Sequence, residues 1–291
     1  MNEEPQTTGP LQEEEAKKET GILVVFRFIL VPLIVVGVVV LLIVIFGQMA
    51  LKEKSVRDYL YDIRTGSQSE RWQAAYHLSN LFANPKKDYE TEARKQLPEM
   101  LLIFRNTKGN DPQIRRYLAL ALGRLKDPRA VPALQESMND EDSQTVIWSI
   151  WALGSIGDRS AVPQIVEKLE NSDSGIRSMS AYVLGAIQDP RAIPPLQAHL
   201  DDATAEVAWN SAIALARMKN ASGADLLLKM MRRDYLAEFP QMSEQNKEEL
   251  MINTIRVSAS LADPSLSQQI KKLSASDPNP RVRDAAIKAV Q

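Results

Sequence analysis

One spacing dominates the middle of this chain: similar residues return every 31 positions. A leucine column and a following glycine column show it most clearly: Leu122, Leu153, Leu184 and Leu215, then Gly123, Gly154, Gly185 and Ala216. Other columns hold the same register: Asp127, Asp158, Asp189 and Asn220; Ala130, Ala161, Ala192 and Gly223; Pro132, Pro163 and Pro194. A period of this length is typical of stacked structural repeats, in which each repeat is one supersecondary unit.

Each repeat is predicted to contain two helices joined by a short turn. In the unit that begins near residue 111, apolar residues at helical spacing predict a helix from Asp111 to Leu125, and a shorter helix buries Val131, Leu134 and Met138. Pro132 stands in the first turn of the second helix, where its missing N–H is tolerated, and Asp127 can cap that turn. Because one hairpin cannot bury its apolar face alone, neighbours must stack.

The repeat motif resembles the HEAT family, specifically the short HEAT-like repeats first named from phycobilisome lyases. It is clearest in Asp-Pro-Gln-Ile-Arg-Arg…Ala-Leu-Gly-Arg-Leu-Lys-Asp-Pro-Arg-Ala-Val-Pro-Ala-Leu at 111–134, and it recurs at 174–194. The resemblance covers about residues 70–290, most tightly 111–233. It implies an all-α fold of the armadillo type: an α-solenoid, a right-handed superhelix of about six helical hairpins plus a final helix.

The register changes at the two ends of the repeat region. The first unit, around 71–75, has a longer second helix, and the helix at 281–286 looks like half a unit that closes the stack. After residue 233 the register slips by 12, because Asn220 plus 31 gives 251 whereas the matching aspartate is Asp263. We therefore predict an insertion near 234–245.

Residues 22–46 form an apolar block interrupted only by Arg27, Pro32 and Gly37. A helix of this length matches the hydrocarbon core of a bilayer, about 30 Å thick. A cleavable signal peptide is the alternative, but it prefers a basic start and a shorter apolar run. We therefore predict one transmembrane helix and a single-pass membrane protein. The basic residues flanking the helix favour a cytoplasmic repeat domain by a margin of one residue.

The predicted domain organisation has four parts. Residues 1–20 carry six glutamates against two lysines and form a disordered acidic tail; residues 21–47 form the transmembrane helix; 48–69 form a juxtamembrane amphipathic helix and linker; and 70–291 form the HEAT-repeat domain. In the third part Val56, Leu60 and Ile63 share one helical face. That face can pack on the repeats or lie on the bilayer surface, and both alternatives remain open.

Composition and motifs argue against catalysis. The chain has no cysteine, two histidines and a net charge of −2, so it lacks thiolate sites and the basic excess of a nucleic-acid binder. The di-iron hydroxylases built from HEAT repeats use His-Glu pairs as ligands, whereas here His77 precedes Leu78 and His199 precedes Leu200. We predict no enzyme activity, no cofactor, no metal site, no nucleic acid and no small-molecule substrate.

Protein binding is the activity that the sequence favours. Along the first helices, large apolar residues occupy columns that are usually polar in this family; the candidate protein-binding residues are Tyr117, Leu120, Trp148, Trp151, Tyr182 and Ile213. Aromatic side chains of this kind dominate many interfaces, although they could instead pack against the preceding unit. The other candidate surface is a concave face of second helices with a polar wall: Gln135, Gln164, Glu167, Gln197 and Lys229.

Three functions remain open from the sequence. The first is a membrane-anchored HEAT-repeat scaffold that binds a protein partner of unknown identity at the membrane surface, held there by residues 22–46. The second is an accessory subunit of a membrane complex such as a transporter. The third, suggested by the resemblance to phycobilisome lyases, is a protein that handles a chromophore or cofactor.

Overall fold

A computed structural model describes residues 30–50, 54–83 and 87–290. The chain divides into two compact units, Met1–Lys54 and Ser55–Gln291. Every regular element in the described ranges is helical, and the prediction of an all-α repeat solenoid is confirmed. The predicted acidic tail, residues 1–20, lies outside the described residues.

The first unit contains helix α1, Val31–Ala50. Its described side chains, residues 30–44, are exposed and mostly apolar, and they extend over about 22 Å at 1.5 Å per residue. Across the described part of the chain, no helix combines the length and the apolar character that a membrane crossing requires. This finding contradicts the predicted transmembrane helix, the membrane contact through residues 22–46 and the single-pass localisation with a cytoplasmic repeat domain.

After a leading helix α2, Val56–Thr65, the second unit alternates first and second helices. The second helix of each repeat is the shorter, except in the first repeat, whose second helix, Lys87–Asn106, is the longer. The first helices are α3 Gln68–Leu81, α5 Pro112–Leu125, α7 Ser143–Ile156, α9 Ser174–Ile187, α11 Ala205–Arg217, α14 Glu244–Ser258 and α16 Pro280–Val290. The second helices are α4 Lys87–Asn106, α6 Val131–Ser137, α8 Val162–Glu167, α10 Ile193–Ala198, α12 Ala224–Met230 and α15 Pro264–Ser276. A further short helix, α13 Arg233–Ala237, lies where the register predicts the insertion.

The junction between the two helices of a repeat has one recurring design. A residue with positive φ ends the first helix: Lys126, Gly157, Gln188 or Lys219. The next residue then caps a short 3₁₀ turn, and at Asp127 the side chain accepts from the backbone N–H of Arg129 at 3.1 Å. The predicted capping role of Asp127 is therefore confirmed. This turn reverses the chain while satisfying backbone donors that the helix start leaves free.

Consecutive first helices approach each other closely because their contact positions are small. A Cβ added to Gly123 would lie 2.6 Å from Cα of Ala152, and one added to Gly185 would lie 2.6 Å from Cα of Ala214. Glycine is therefore needed at these positions for backbone-to-backbone contact. The repeating glycine column of the sequence marks the places where the stack is tightest.

The buried apolar side chains form two clusters that meet at α11. One extends from Val56 to Leu215, and the other from Trp209 to Ala286. Val56, Leu60 and Ile63 of α2 belong to the first cluster and α2 contacts α3 and α4, so this helix packs on the repeats. The apolar interior of the described repeats is thus divided into two clusters, and α11 contributes side chains to both.

Candidate protein-binding surface

Aromatic side chains line the exposed side of four successive first helices. We name Tyr76, Tyr117, Trp148, Trp151 and Tyr182 the aromatic stripe. Tyr76 meets Tyr117 edge to face with ring centroids 5.4 Å apart, and Trp148 meets Trp151 in the same way at 6.0 Å. Tyr76 and Tyr182 are each 41% exposed, while the others and the neighbouring Leu120 are half-buried. Edge-to-face contacts hold such rings in defined orientations.

Ile213 does not belong to this surface, and its inclusion among the candidate residues is corrected. Its side chain is 3% exposed and lies in the second apolar cluster. In the same cluster, Tyr235 and Phe239 of the segment after α12 pack on Trp209 of α11, the helix that carries Ile213. The indole N–H of Trp209 also donates to the Tyr235 hydroxyl at 3.1 Å. The stripe therefore ends at Tyr182.

A cavity of about 450 Å³ lies beside one end of the Trp148–Trp151 pair. It is lined by the N-terminal halves of α5 and α7: Pro112, Gln113, Arg116, Tyr117, Leu120, Gln144 and Trp148. Its charged group is already satisfied, because Nε of Arg116 donates to Asp142 at 2.7 Å. That hydrogen bond raises the pKa of Arg116 and lowers the pKa of Asp142 to about 2. This cavity consequently offers mainly apolar and aromatic contacts.

A larger cavity, about 650 Å³, lies at the other end of the pair. We name it the Trp151 cavity; its lining is Phe82, Ala83, Glu90, Arg94, Gly123, Arg124, Leu125, Lys126, Trp151 and Ser155. Trp148 lines the first cavity and Trp151 the second, and their ring centroids are 6.0 Å apart. Each ring of this contacting pair therefore lines one of the two cavities.

Charge is distributed unevenly on this surface. Helices α5, α7 and α9 contain no aspartate or glutamate, whereas α5 alone carries three arginines, Arg115, Arg116 and Arg124. Arg115 is buried and pairs with Asp140 at 2.7 Å. Near the Trp151 cavity, Arg94 contacts Glu90 and Asp127, and Arg129 also contacts Asp127. Those four charges balance, so among the described residues of this region Arg124 and Lys126 remain as the excess.

Polar side chains of the second helices join neighbouring repeats. The amide of Gln164 donates to the backbone oxygen of Gln135 at 3.0 Å, and the amide of Gln197 donates to Ser222 at 2.6 Å. Gln135 donates in turn to the backbone oxygen of Ser160 at 3.4 Å. Glu167 and Lys229, the other residues of the predicted polar wall, are exposed. The side chains of the three glutamines therefore already form hydrogen bonds between repeats.

Neither histidine belongs to a cluster of metal ligands. His199 is buried, and its ring nitrogens lie 2.9 Å from the backbone oxygens of Pro195 and Leu169. His77 is exposed and packs against Tyr59 and Tyr76. Within the described ranges there is no group of three histidine, aspartate or glutamate residues placed to hold a metal ion.

Sequence reasoning missed Tyr76, Arg124 and Lys126. Tyr76 lies outside the 31-residue register, since it precedes Tyr117 by 41 positions. Arg124 shares its column with Ser155, Ala186 and Arg217, and that variability could have signalled a position free of packing constraints. No sequence pattern indicated which arginines lack a carboxylate partner.

Comparison with known proteins gives a consistent picture of the fold. A family model described as HEAT repeats matches residues 97–177, 147–216 and 162–239. A solved chain from the complex of CpcE and CpcF of phycocyanin lyase from Nostoc sp. PCC7120 is similar, with a TM-score of 0.55, 16% identity, and coverage of 82% of this chain and 96% of that one. The YibA protein of Escherichia coli is also similar, with a TM-score of 0.53, 16% identity, and coverage of 81% and 80%.

A search of curated protein sequences found no significant match. At 16% identity, the two structural similarities show the fold alone. Together with the repeat geometry, the family match shows that this chain contains HEAT repeats, between residues 97 and 239.

Proposed function

We propose that this protein is a HEAT-repeat scaffold that binds a protein partner through the aromatic stripe, with no catalysis of its own. The observation that carries the proposal is that Trp148 and Trp151, whose rings contact each other edge to face, each line a cavity. Pockets lined by tryptophan and tyrosine at the centre of a surface are typical anchors of protein interfaces. In this proposal the solenoid is the right-handed superhelix of about six hairpins implied by the family resemblance.

The second-helix surface is the weaker alternative. Its glutamines make hydrogen bonds between repeats, so a partner would have to compete for groups that already have donors or acceptors. The aromatic stripe has no such competition. Tyr76 and Tyr117, and likewise Trp148 and Trp151, contact each other through ring edges, while part of each side chain stays exposed. We therefore assign docking to the outward side chains of the first helices, while polar side chains of the second helices join neighbouring repeats.

Site-specific photo-crosslinking tests the proposal. A benzophenone amino acid placed at Leu120 or Tyr182 should crosslink to the same protein in the cells that make this chain. The matched control position is Glu167, which is exposed on a second helix. The crosslinked protein is then purified, and its affinity is measured for the wild-type chain and for the Trp148→Ala and Trp151→Ala variants. Loss of an anchor should weaken binding at least about tenfold.

Two outcomes would contradict the proposed function. One is a partner that crosslinks at Glu167 as efficiently as at Leu120. The other is a purified partner whose affinity is unchanged by both tryptophan substitutions, with helix content by circular dichroism the same as in the wild type.

A further inference from the structure

Arg124 differs from the other arginines of this surface in what its guanidinium contacts. Its Nη1 donates to the backbone oxygen of Ser79 at 2.6 Å and to the side-chain oxygen of Asn80 at 3.3 Å, both neutral acceptors. Burial lowers the pKa of Arg124. By contrast, carboxylate partners raise the pKa values of Arg94, Arg116 and Arg129. Arg124 is thus partly desolvated, and no carboxylate of the described ranges pairs with it.

Lys126 adds a second cation at the same place. It has φ +52° at the end of α5, it is exposed, and its ammonium makes no ion pair within the described part of the chain. Both residues line the Trp151 cavity, with Trp151 and Phe82 as apolar lining. The cavity therefore combines two uncompensated positive charges with an aromatic wall.

We propose that the Trp151 cavity receives an acidic segment of the protein partner, in which a carboxylate contacts Arg124 and Lys126 and an adjacent apolar side chain packs on Trp151. This inference rests on the proposed docking function and specifies the chemistry of the partner. Charge complementarity selects the occupant, because Glu90, the carboxylate in the cavity lining, is paired with Arg94, and α5, α7 and α9 add no further carboxylate. A guanidinium is also well suited to a carboxylate, which it can contact through two parallel N–H donors.

The repeat supplies a matched control for each cation. Lys219 occupies the same left-handed position as Lys126, with φ +57°, and Arg217 occupies the same column as Arg124. The Arg217 guanidinium lies 5.3 Å from the ring centre of Tyr182 rather than in the Trp151 cavity. Substitutions at 217 and 219 therefore remove equal charge from equivalent positions outside the proposed site.

The test uses the full chain and two dye-labelled probe peptides. In the acidic probe, glutamates flank leucine and phenylalanine; in the neutral probe, glutamine replaces every glutamate. Fluorescence anisotropy should show the acidic probe binding about tenfold more tightly, with the difference shrinking as NaCl rises from about 50 mM to about 500 mM. Lys126→Glu and Arg124→Met should each remove most of the preference, whereas Lys219→Glu and Arg217→Met should leave it unchanged.

Equal affinity for the two probes, or equal effects of Lys126→Glu and Lys219→Glu, would overturn the inference. Failure of this inference and failure of the docking function are distinguishable. If Trp151→Ala weakens both probes equally and no charge preference exists, docking survives and the acidic specificity fails. If a benzophenone amino acid in place of Ser155 crosslinks to a second copy of this chain or to its own residues 1–20, the assignment of the cavity to a separate partner fails.

Discussion

The two helical layers of each repeat are held together in different ways. The first helices approach through glycine and alanine, so that backbone meets backbone at Gly123 and Gly185. The second helices α6, α8 and α10 are shorter and begin with proline in their first turns, and glutamine side chains join them to neighbouring repeats. Because the first helices contact each other through their backbones, their outward side chains remain available for binding. In the second helices, by contrast, polar side chains already form hydrogen bonds between repeats.

The largest expected effect comes from adding a methyl group at the contact between two first helices. Gly185→Ala should lower the free energy of unfolding by about 2 kcal/mol, because the new methyl group meets the backbone of Ala214. This would occur although alanine has the higher helix propensity by about 1 kcal/mol. Urea unfolding followed by circular dichroism measures the change.

Gly154→Ala is the matched variant for this prediction. There the added Cβ meets the side chain of Val183 rather than backbone, at 2.7 Å. A side chain can rotate or shift where a backbone cannot, so we expect a smaller loss, about 1 kcal/mol. A Gly154→Ala variant less stable than Gly185→Ala would contradict backbone contact as the basis of stacking in the first layer.

An intermediate effect is expected from acid at the junctions that connect the layers. Hydrogen bonds from Arg191 lower the pKa of Asp189 from 3.8 to about 2. Because the folded pKa lies below the unfolded one, this carboxylate contributes stability that is present above pH 4 and is lost as the pH falls from about 4 to about 2. Unfolding measured across that range should show Asp189→Asn with a shallower pH dependence than the wild type.

Asp158 provides the control for the acid measurement. It holds the same register position, but Ser160 stands where the neighbouring repeats have arginine, and the backbone hydrogen bond from Ser160 lowers its pKa. Asp158→Asn should therefore change the pH dependence less than Asp189→Asn. Equal changes would show that the arginine partner adds nothing to the junction.

The smallest effect is expected in the second layer. Gln164→Ala removes the 3.0 Å hydrogen bond to the backbone of Gln135 and should cost about 1 kcal/mol or less. Glu167→Ala, on the same helix but exposed, should be close to neutral. If Gln164→Ala destabilises the chain more than Gly185→Ala, then side-chain hydrogen bonds between second helices stabilise the stack more than backbone contacts between first helices, contrary to our expectation.

The repeat geometry was predictable because similar residues recur every 31 positions. Helix α5 was expected from Asp111 to Leu125 and runs from Pro112 to Leu125, with Asp111 as the preceding cap residue. The insertion and the aspartate caps followed from the same register. Local spacing decides these features, so the columns that contain Leu122, Gly123 and Asp127 carry nearly all the information.

The surface was less predictable, because exposure depends on what packs over a helix from elsewhere. Ile213 occupies the same column as Trp151 and Tyr182, yet it is buried in the cluster to which the insertion adds Tyr235 and Phe239. The arginines could not be ranked either, since the pairing of Arg94 with Asp127 and of Arg116 with Asp142 is a contact between repeats. The apolar block at 22–46 likewise suggested a spanning helix that the described residues do not contain.

Helix α11 has a particular consequence for how the solenoid comes apart. Leu215 belongs to the apolar cluster on one side, while Trp209 and Ile213 belong to the cluster on the other. This one helix therefore packs against both apolar clusters. Local unfolding of the second apolar cluster would expose one side of α11 but leave the aromatic stripe folded. Partner binding and the folding of the last repeats can therefore be lost separately.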